Sequence, residues 1–294
     1  MSAATVHGAP AATGDLSALS ERARARVRER RIKVHVTQAV VLVVLLGSWE
    51  IGSRLGWIDQ FFFGSPLGIA LQIVEWITDG TGEPGPLWQQ IYVTMYEAVL
   101  GFVFGVMTGV VCGVALGVSP FFADVFQPYI KAINALPRIV LGSIFVVWLG
   151  IGLASKVMLA SLLVFFVVFF NTFQGVRSVD PNLISNARVL GASRMQVVRH
   201  VVIPSAMTWI IASLHVALGL AIIGAIVGEY LGSQHGLGLV ISFAQNNFNP
   251  DGVFAAMLII GILAIGAEWA MGLVEKRLLA WRPPMADETS AKGL

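Results

Sequence analysis

Residues 176–204 read VRSVDPNLISNARVLGASRMQVVRHVVIP, and their short-range signals specify a defined shape. Asp180 can cap a helix whose first residue is Pro181, the one position where a missing N–H costs nothing. The pattern predicts a helix running to about Leu190 and stopping at Gly191, which can take a left-handed backbone. Ser193 followed three residues later by Gln196 forms a capping-box pattern, so a second helix begins there. Pro204 then opens a long apolar run. The outcome is helix, glycine turn, helix, with Arg188, Arg194 and Arg199 among the exposed positions. On physics alone the pair could be an amphipathic connector whose arginines lie among anionic lipid headgroups.

What flanks the pair decides the class. Residues 157–176 on one side and 200–228 on the other contain no Asp, Glu, Lys or Arg. The same holds for 34–49, 98–123, 139–155 and 252–267. A charge near the bilayer centre costs roughly 2.5–3.5 kcal/mol, so such runs mark spans. A helix needs about 20 residues to cross the hydrocarbon, and the shorter runs reach this by including Glu50 or Glu268. Composition agrees: 56% of residues are hydrophobic and 12% charged, against about 25% charged in a soluble domain. Most cytosolic enzymes and nucleic-acid binders are thereby excluded, and the lipid bilayer is the expected partner. The fold class is an all-α polytopic membrane protein with six transmembrane helices, the helix pair lying between spans four and five. Residues 230–250, broken by amides and glycines, read as a re-entrant or external hairpin; residues 66–78 suit a short interfacial helix.

Lys and Arg placement sets the orientation. Seven basic residues lie between Arg22 and Lys33, four more are Arg177, Arg188, Arg194 and Arg199, and the C-terminal region holds Lys276, Arg277, Arg282 and Lys292. Six spans place these on one side, so both termini are expected in the cytoplasm; Arg54 and Lys156 fall on the other. The domain reading is a basic cytoplasmic tail over 1–33, disordered apart from a surface-lying helix at 19–33. A transmembrane domain over 34–282 and a cytoplasmic tail over 283–294 follow.

Several polar residues fall at membrane depth. Arg138, after Pro137, either faces the bundle interior and suits an anionic solute, or reaches the interface or a neighbouring carbonyl; Lys131 has the same two readings. Glu229, closing the fifth span, is either an acceptor for hairpin amides or a solute or gate contact. Gly236 and Gly238 would allow a tight turn near it. Glu97 lies early in the second span, and Glu268 chooses between an interior partner and the headgroup level. Gly101, Gly105, Gly109, Gly113 and Gly117 recur every four residues, which predicts close packing against another helix. Catalytic and metal-ligating residues are not found: there is no phosphate-cradling G-x-x-x-x-G-K-[ST], no nucleophile elbow and no ligand-spaced histidine pair. One cysteine, Cys112, forms no internal disulfide.

The helix pair resembles the cytoplasmic motif of binding-protein-dependent ABC transporter permeases, Glu-Ala-Ala, three residues, Gly, nine residues, Ile-x-Leu-Pro. Ala187, Gly191 and Pro204 match, Val201 and Ile203 are conservative replacements, and Ser185 and Asn186 depart from the family's Glu-Ala. The resemblance covers roughly 88–282 and is carried also by ALPRIVLGSIFVVWLGIGLASKV (135–157), NTFQGVRSVD (171–180) and GEYLGSQHGLGLVI (228–241). It is closest to the branch importing nitrate, taurine, sulfonates, bicarbonate and pyrimidine vitamin precursors, where relatives often carry a basic residue at the position of Glu97. The resemblance implies a type I importer in a bacterial-type inner (plasma) membrane. Ser185, Asn186, Ala187, Arg188, Gly191, Ala192, Ser193 and Pro204 would then form the coupling surface for cytoplasmic ABC ATPase subunits. A second copy of the permease and an extracytoplasmic solute-binding protein would complete the assembly. This chain would hold no cofactor, ATP and Mg being bound by the ATPase partner. Arg138, Glu229, Gly236 and Gly238 are the pathway or gate candidates. The alternative is a proton-coupled secondary transporter using Glu97, Glu229 or Glu268, against which the lack of an internal repeat counts.

Overall fold

The computed structural model describes the backbone of residues 12–278 and the side chains of residues 27–277. Residues 1–11 of the expected N-terminal tail and the expected C-terminal tail, 283–294, lie outside the described residues. The chain divides into two units, one reaching Ile58 and one spanning Asp59–Leu278.

The first unit is essentially one helix, α1 (Ala12–Arg54), 43 residues long. The basic stretch and the first charge-free run therefore share a single helix instead of forming a tail and a separate span. Residues 15–46 contain neither Gly nor Pro to interrupt it.

The second unit opens with α2 (Gln60–Phe63) and α3 (Pro66–Thr78), the latter capped by Ser65 and matching the short helix expected at 66–78. Then come α4 (Leu87–Gly117), α5 (Pro120–Ala135), α6 (Arg138–Leu149) and α7 (Leu153–Arg177). After α8 (Pro181–Val189) and α9 (Arg194–Val197), a π-helical turn at Val198–Val202 leads into α10 (Ile203–Leu231). The chain continues through α11 (Leu237–Asn246) to α12 (Pro250–Leu278). Among the described residues five helical stretches are long and apolar enough to cross a membrane alone. The sixth span exists only if α5 and α6 are taken together across an 88° bend. Pro137 and the extended Leu136 at their junction account for the break.

The glycine stripe of α4 organises this unit. Gly101 meets Ala160 of α7, Gly105 meets Val164, Gly109 meets Val168, Gly113 meets Thr172 and Gly117 meets Val176. A Cβ on Gly113 would lie 2.6 Å from that of Thr172, so no larger residue fits without prying the helices apart. Small residues let backbones approach closely where lipid supplies no hydrophobic drive between helices. On the other flank of α7, Gly224 of α10 lies on Ala160 and Gly228 on Lys156. Three helices thus pack mutually, α4 also meeting α10 where Ala98 lies against Ile222 and Ala225, which is why Ala160, Val164 and Val168 of α7 are fully buried.

Candidate functional site

The two ends of α10 carry the two constellations anticipated from the sequence. At its start, Asp180 caps α8 by accepting from Asn182 N at 2.8 Å. The helix then closes with a paired C-terminal motif: Gly191 N donates to Arg188 O at 2.9 Å and Ala192 N to Ala187 O at 3.0 Å. Gly191 has φ +85°, the left-handed conformation expected of it. Ser193 and Gln196 form the reciprocal capping box, with Ser193 N donating to Gln196 Oε1 at 2.8 Å.

The second member of the pair is shorter than its pattern suggests, because α9 passes through the π-helical turn straight into α10. Ile203 N donates five residues back to Val198 O. The wider turn accommodates Pro204, which has no N–H to give. Pro204 is therefore inside a continuous helix and does not start one. The knuckle is seated by its inner face: Ile184, Ala187, Ala192 and Val201 pack on a core of Val176, Val179, Val197, Val202, Ala206 and Ile210. Of the expected coupling residues, Ala187 and Ala192 face inward and Ser185, Asn186, Arg188 and Ser193 face outward. Sequence reasoning missed the most exposed apolar residues of the turn, Val189 at 86%, Leu190 at 88% and Met195 at 73%. The motif highlighted polar and small positions and did not mark these.

At the far end of α10, Glu229 is buried and accepts hydrogen bonds from Thr94 Oγ1 and Gly238 N, each at 2.7 Å. Thr94 Oγ1 in turn accepts from Leu237 N at 2.8 Å, and Gln90 Oε1 accepts from Gly236 N at 2.7 Å. Gln90 Nε2 donates to Pro84 O at 2.6 Å. Three successive amides of the hairpin, 236–238, are thereby held by α4 and α10. The hairpin itself contains α11, tied back by Tyr230 Oη donating to Gln245 Oε1 at 2.6 Å. Gly236 has φ +111°. Gly238 does not: it lies within α11, and glycine is needed there because a Cβ would collide with Ile226 O and the Glu229 side chain.

Glu97 and Lys156 join this cluster. Both are buried, and Glu97 lies against Glu229 within electrostatic reach of Lys156. Lys156, which charge counting assigned only to the side opposite the basic regions, is buried and donates to Ile151 O. The α4–α7 register explains this: Glu97 and Lys156 are the next pair outward in the series that joins Gly101 to Ala160. A signal was available, since Gln90, Thr94 and Glu97 extend the glycine stripe along one face of α4.

The remaining polar candidates lie apart from that cluster. Arg138 places its guanidinium 5.3 Å from the Phe166 ring centroid and donates to Asn134 Oδ1 at 2.5 Å. Glu268 stays exposed and pairs with His215 of α10, which also meets Glu275 at 2.9 Å.

Residues 101–280 match the family described as binding-protein-dependent transport system inner membrane component. The riboflavin transport system permease protein RibX of Chloroflexus aurantiacus is 34% identical over 82% of this chain and 88% of its own length. The putative aliphatic sulfonates transport permease protein SsuC of Bacillus subtilis is 30% identical over 81% and 85%. The taurine transport system permease protein TauC of Escherichia coli is 30% identical over 82% and 87%. Among solved structures, an inward-facing conformation of the MetNI methionine ABC transporter aligns over 65% of this chain and 96% of its own chain. Its TM-score is 0.55 at 19% identity, a likeness of fold. With 180 of its 294 residues matched by that family and relatives at 30–34% identity over most of its length, the chain belongs to the inner-membrane permease family of binding-protein-dependent ABC transport systems.

Proposed function

We propose that this permease works in an ATP-driven importer by passing the motion of separate cytoplasmic ATPase subunits through the 181–203 knuckle to the membrane helices. The solute is a small anion delivered by an extracytoplasmic solute-binding protein, and a second copy of the chain supplies the other half of the pathway. ATP and Mg belong to the ATPase, and both termini of the permease lie on the same cytoplasmic side as the knuckle.

One observation carries this reading. Val189, Leu190 and Met195 are almost fully exposed on a turn whose backbone is determined by Asp180, Gly191 and Ser193 and whose inner face is packed on the bundle. A connector among lipid headgroups does not need a rigid, seated turn ending in apolar side chains. A projection that must fit a groove on another protein does, because a preformed shape avoids the entropy of ordering on binding. The sulfonate and taurine names among the relatives support an anionic solute.

Replacing Gly191 by Val tests the reading. A β-branched residue resists the left-handed backbone at a cost of roughly 1–2 kcal/mol, too little to prevent insertion. Membrane levels should stay normal while co-purification of the ATPase and solute-stimulated ATP hydrolysis fall together. A variant that hydrolyses ATP and transports like the wild type would reduce the knuckle to a connector.

A further inference from the structure

A cavity of about 350 Å³ opens beside the knuckle end of α7, bounded by α4, α5 and α7. Its floor is aromatic: Phe169, Phe170 and Phe173 line it, and the rings of Phe169 and Phe173 stack at 6.0 Å. Two cations and two amides complete the wall, Lys131 and Gln127 from α5 and Gln174 and Arg177 from α7. No carboxylate lines it, and among the described residues neither Lys131 nor Arg177 forms an ion pair.

Lys131 and Arg177 are both exposed, so each keeps part of its hydration; two cations lining one aromatic cavity with no carboxylate on its wall nevertheless set up a positive field that favours an anion. Arg177 lies with its guanidinium carbon 5.4 Å from the Phe173 centroid. That contact uses the ring face and leaves the in-plane N–H donors able to grip an oxyanion. The amides of Gln127 and Gln174 add neutral donors, and the phenylalanines offer flat surface to the rest of the molecule. The size lies within the range of small-molecule sites. Arg138 contributes nothing here, being committed to Asn134 and Phe166.

We infer that the α5–α7 cavity is a binding site for an organic anion, a sulfonate, carboxylate or phosphate head on a small planar or apolar body, gripped by Lys131 and Arg177. Two sources can supply that chemistry: a solute on its way through the permease or the headgroup of an anionic lipid. That a transported solute uses the site rests on the transport reading above; that the cavity takes an anion does not.

The test uses the intact transporter, with whatever subunits co-purify, in lipid nanodiscs. Cys112 is replaced by Ser and Gln174 by Cys, and modification by the neutral reagent N-ethylmaleimide is timed. In phosphatidylcholine discs benzenesulfonate should slow labelling at least threefold, while the isosteric neutral benzenesulfonamide should not. Lys131→Gln and Arg177→Gln together should abolish the protection. A parallel set contains phosphatidylglycerol. Slow labelling there before any benzenesulfonate is added, with none of the protection in phosphatidylcholine, assigns the site to a lipid headgroup. Equal protection by the neutral analogue, protection that survives loss of both cations, or none in either lipid would overturn the inference. Labelling does not depend on ATP hydrolysis. A permease that fails to bring down an ATPase but shows the protection would sink the transport reading and leave the anion site standing.

Discussion

Gly191 and Gly236 occupy opposite ends of α10, and both hold a left-handed backbone between helices, at φ +85° and +111°. Their surroundings differ completely. A side chain at Gly191 would meet nothing within 4 Å, whereas one at Gly236 would run into the buried carboxylate of Glu229. The first turn is shaped by its own chain, through two caps and a glycine, and leaves its tip free. The second is shaped by other helices, through Gln90, Thr94 and Glu229, and its residues 236–238 are buried. A surface that must accept a partner can be built from local rules. A turn buried within the bundle needs partners from distant sequence.

The largest effect expected from this contrast is at Glu229. Its replacement by Ala removes the acceptor of Thr94 Oγ1 and Gly238 N and leaves Lys156 buried beside fewer opposite charges. Breaking a buried charge network of this kind costs about 3–5 kcal/mol, so the midpoint of unfolding in detergent should drop sharply and little protein should reach the membrane. A mild loss would mean that water reaches the cluster and the outer turn is less closed than its hydrogen bonds indicate.

Gly236→Ala should come next. It adds to the left-handed strain, roughly 1–2 kcal/mol, an overpacking cost of about 1–3 kcal/mol against Glu229. Gly191→Ala carries the first term alone. Unfolding midpoints measured side by side should therefore rank Gly236→Ala well below Gly191→Ala; equal losses would break the comparison.

Smaller effects sharpen the picture at the exposed turn. Ser193→Ala removes one side of the capping box, worth about 0.5–2 kcal/mol, and the 3.4 Å length of the lost bond points to the lower end. It should weaken ATPase co-purification partially. Gly191→Asn should have the smallest effect, since Asn tolerates the left-handed region better than other side chains and has open space there. Near-normal co-purification by Gly191→Asn beside loss in Gly191→Val would show that backbone shape, and not glycine's small volume, is what the turn requires.

How much of each region is legible from the residues follows the same division. The Asp180, Gly191 and Ser193–Gln196 signals were readable because caps and left-handed turns act over a few bonds. The stripe from Gly101 to Gly117 was readable as a packing face because its repeat matches the helical period, although its partner on α7 was not. Charge counting assigned Lys156 to a side of the membrane but could not show that it is buried, since in a one-dimensional count a lysine between two spans looks like any loop cation. Pro137 marks the place of the 88° break after Leu136, but no local signal carries its size.

By itself, then, the sequence determined the membrane class, the helix–glycine–helix knuckle and the tightly packed face of α4, each through interactions of neighbours along the chain or a simple periodicity. The tertiary structure alone decided what the buried polar residues do. Glu97 comes within electrostatic reach of Lys156 because the glycine stripe sets the register of α4 on α7. Thr94 and Gln90 reach the amides of the outer turn because α11 folds back over α4 and α10. Lys131 and Arg177 line one aromatic cavity because α5 packs on α4 and leaves a gap beside the end of α7. Each of these pairings depends on the rotation and offset of two helices, quantities set by many small packing contacts at once and written in no short stretch of residues.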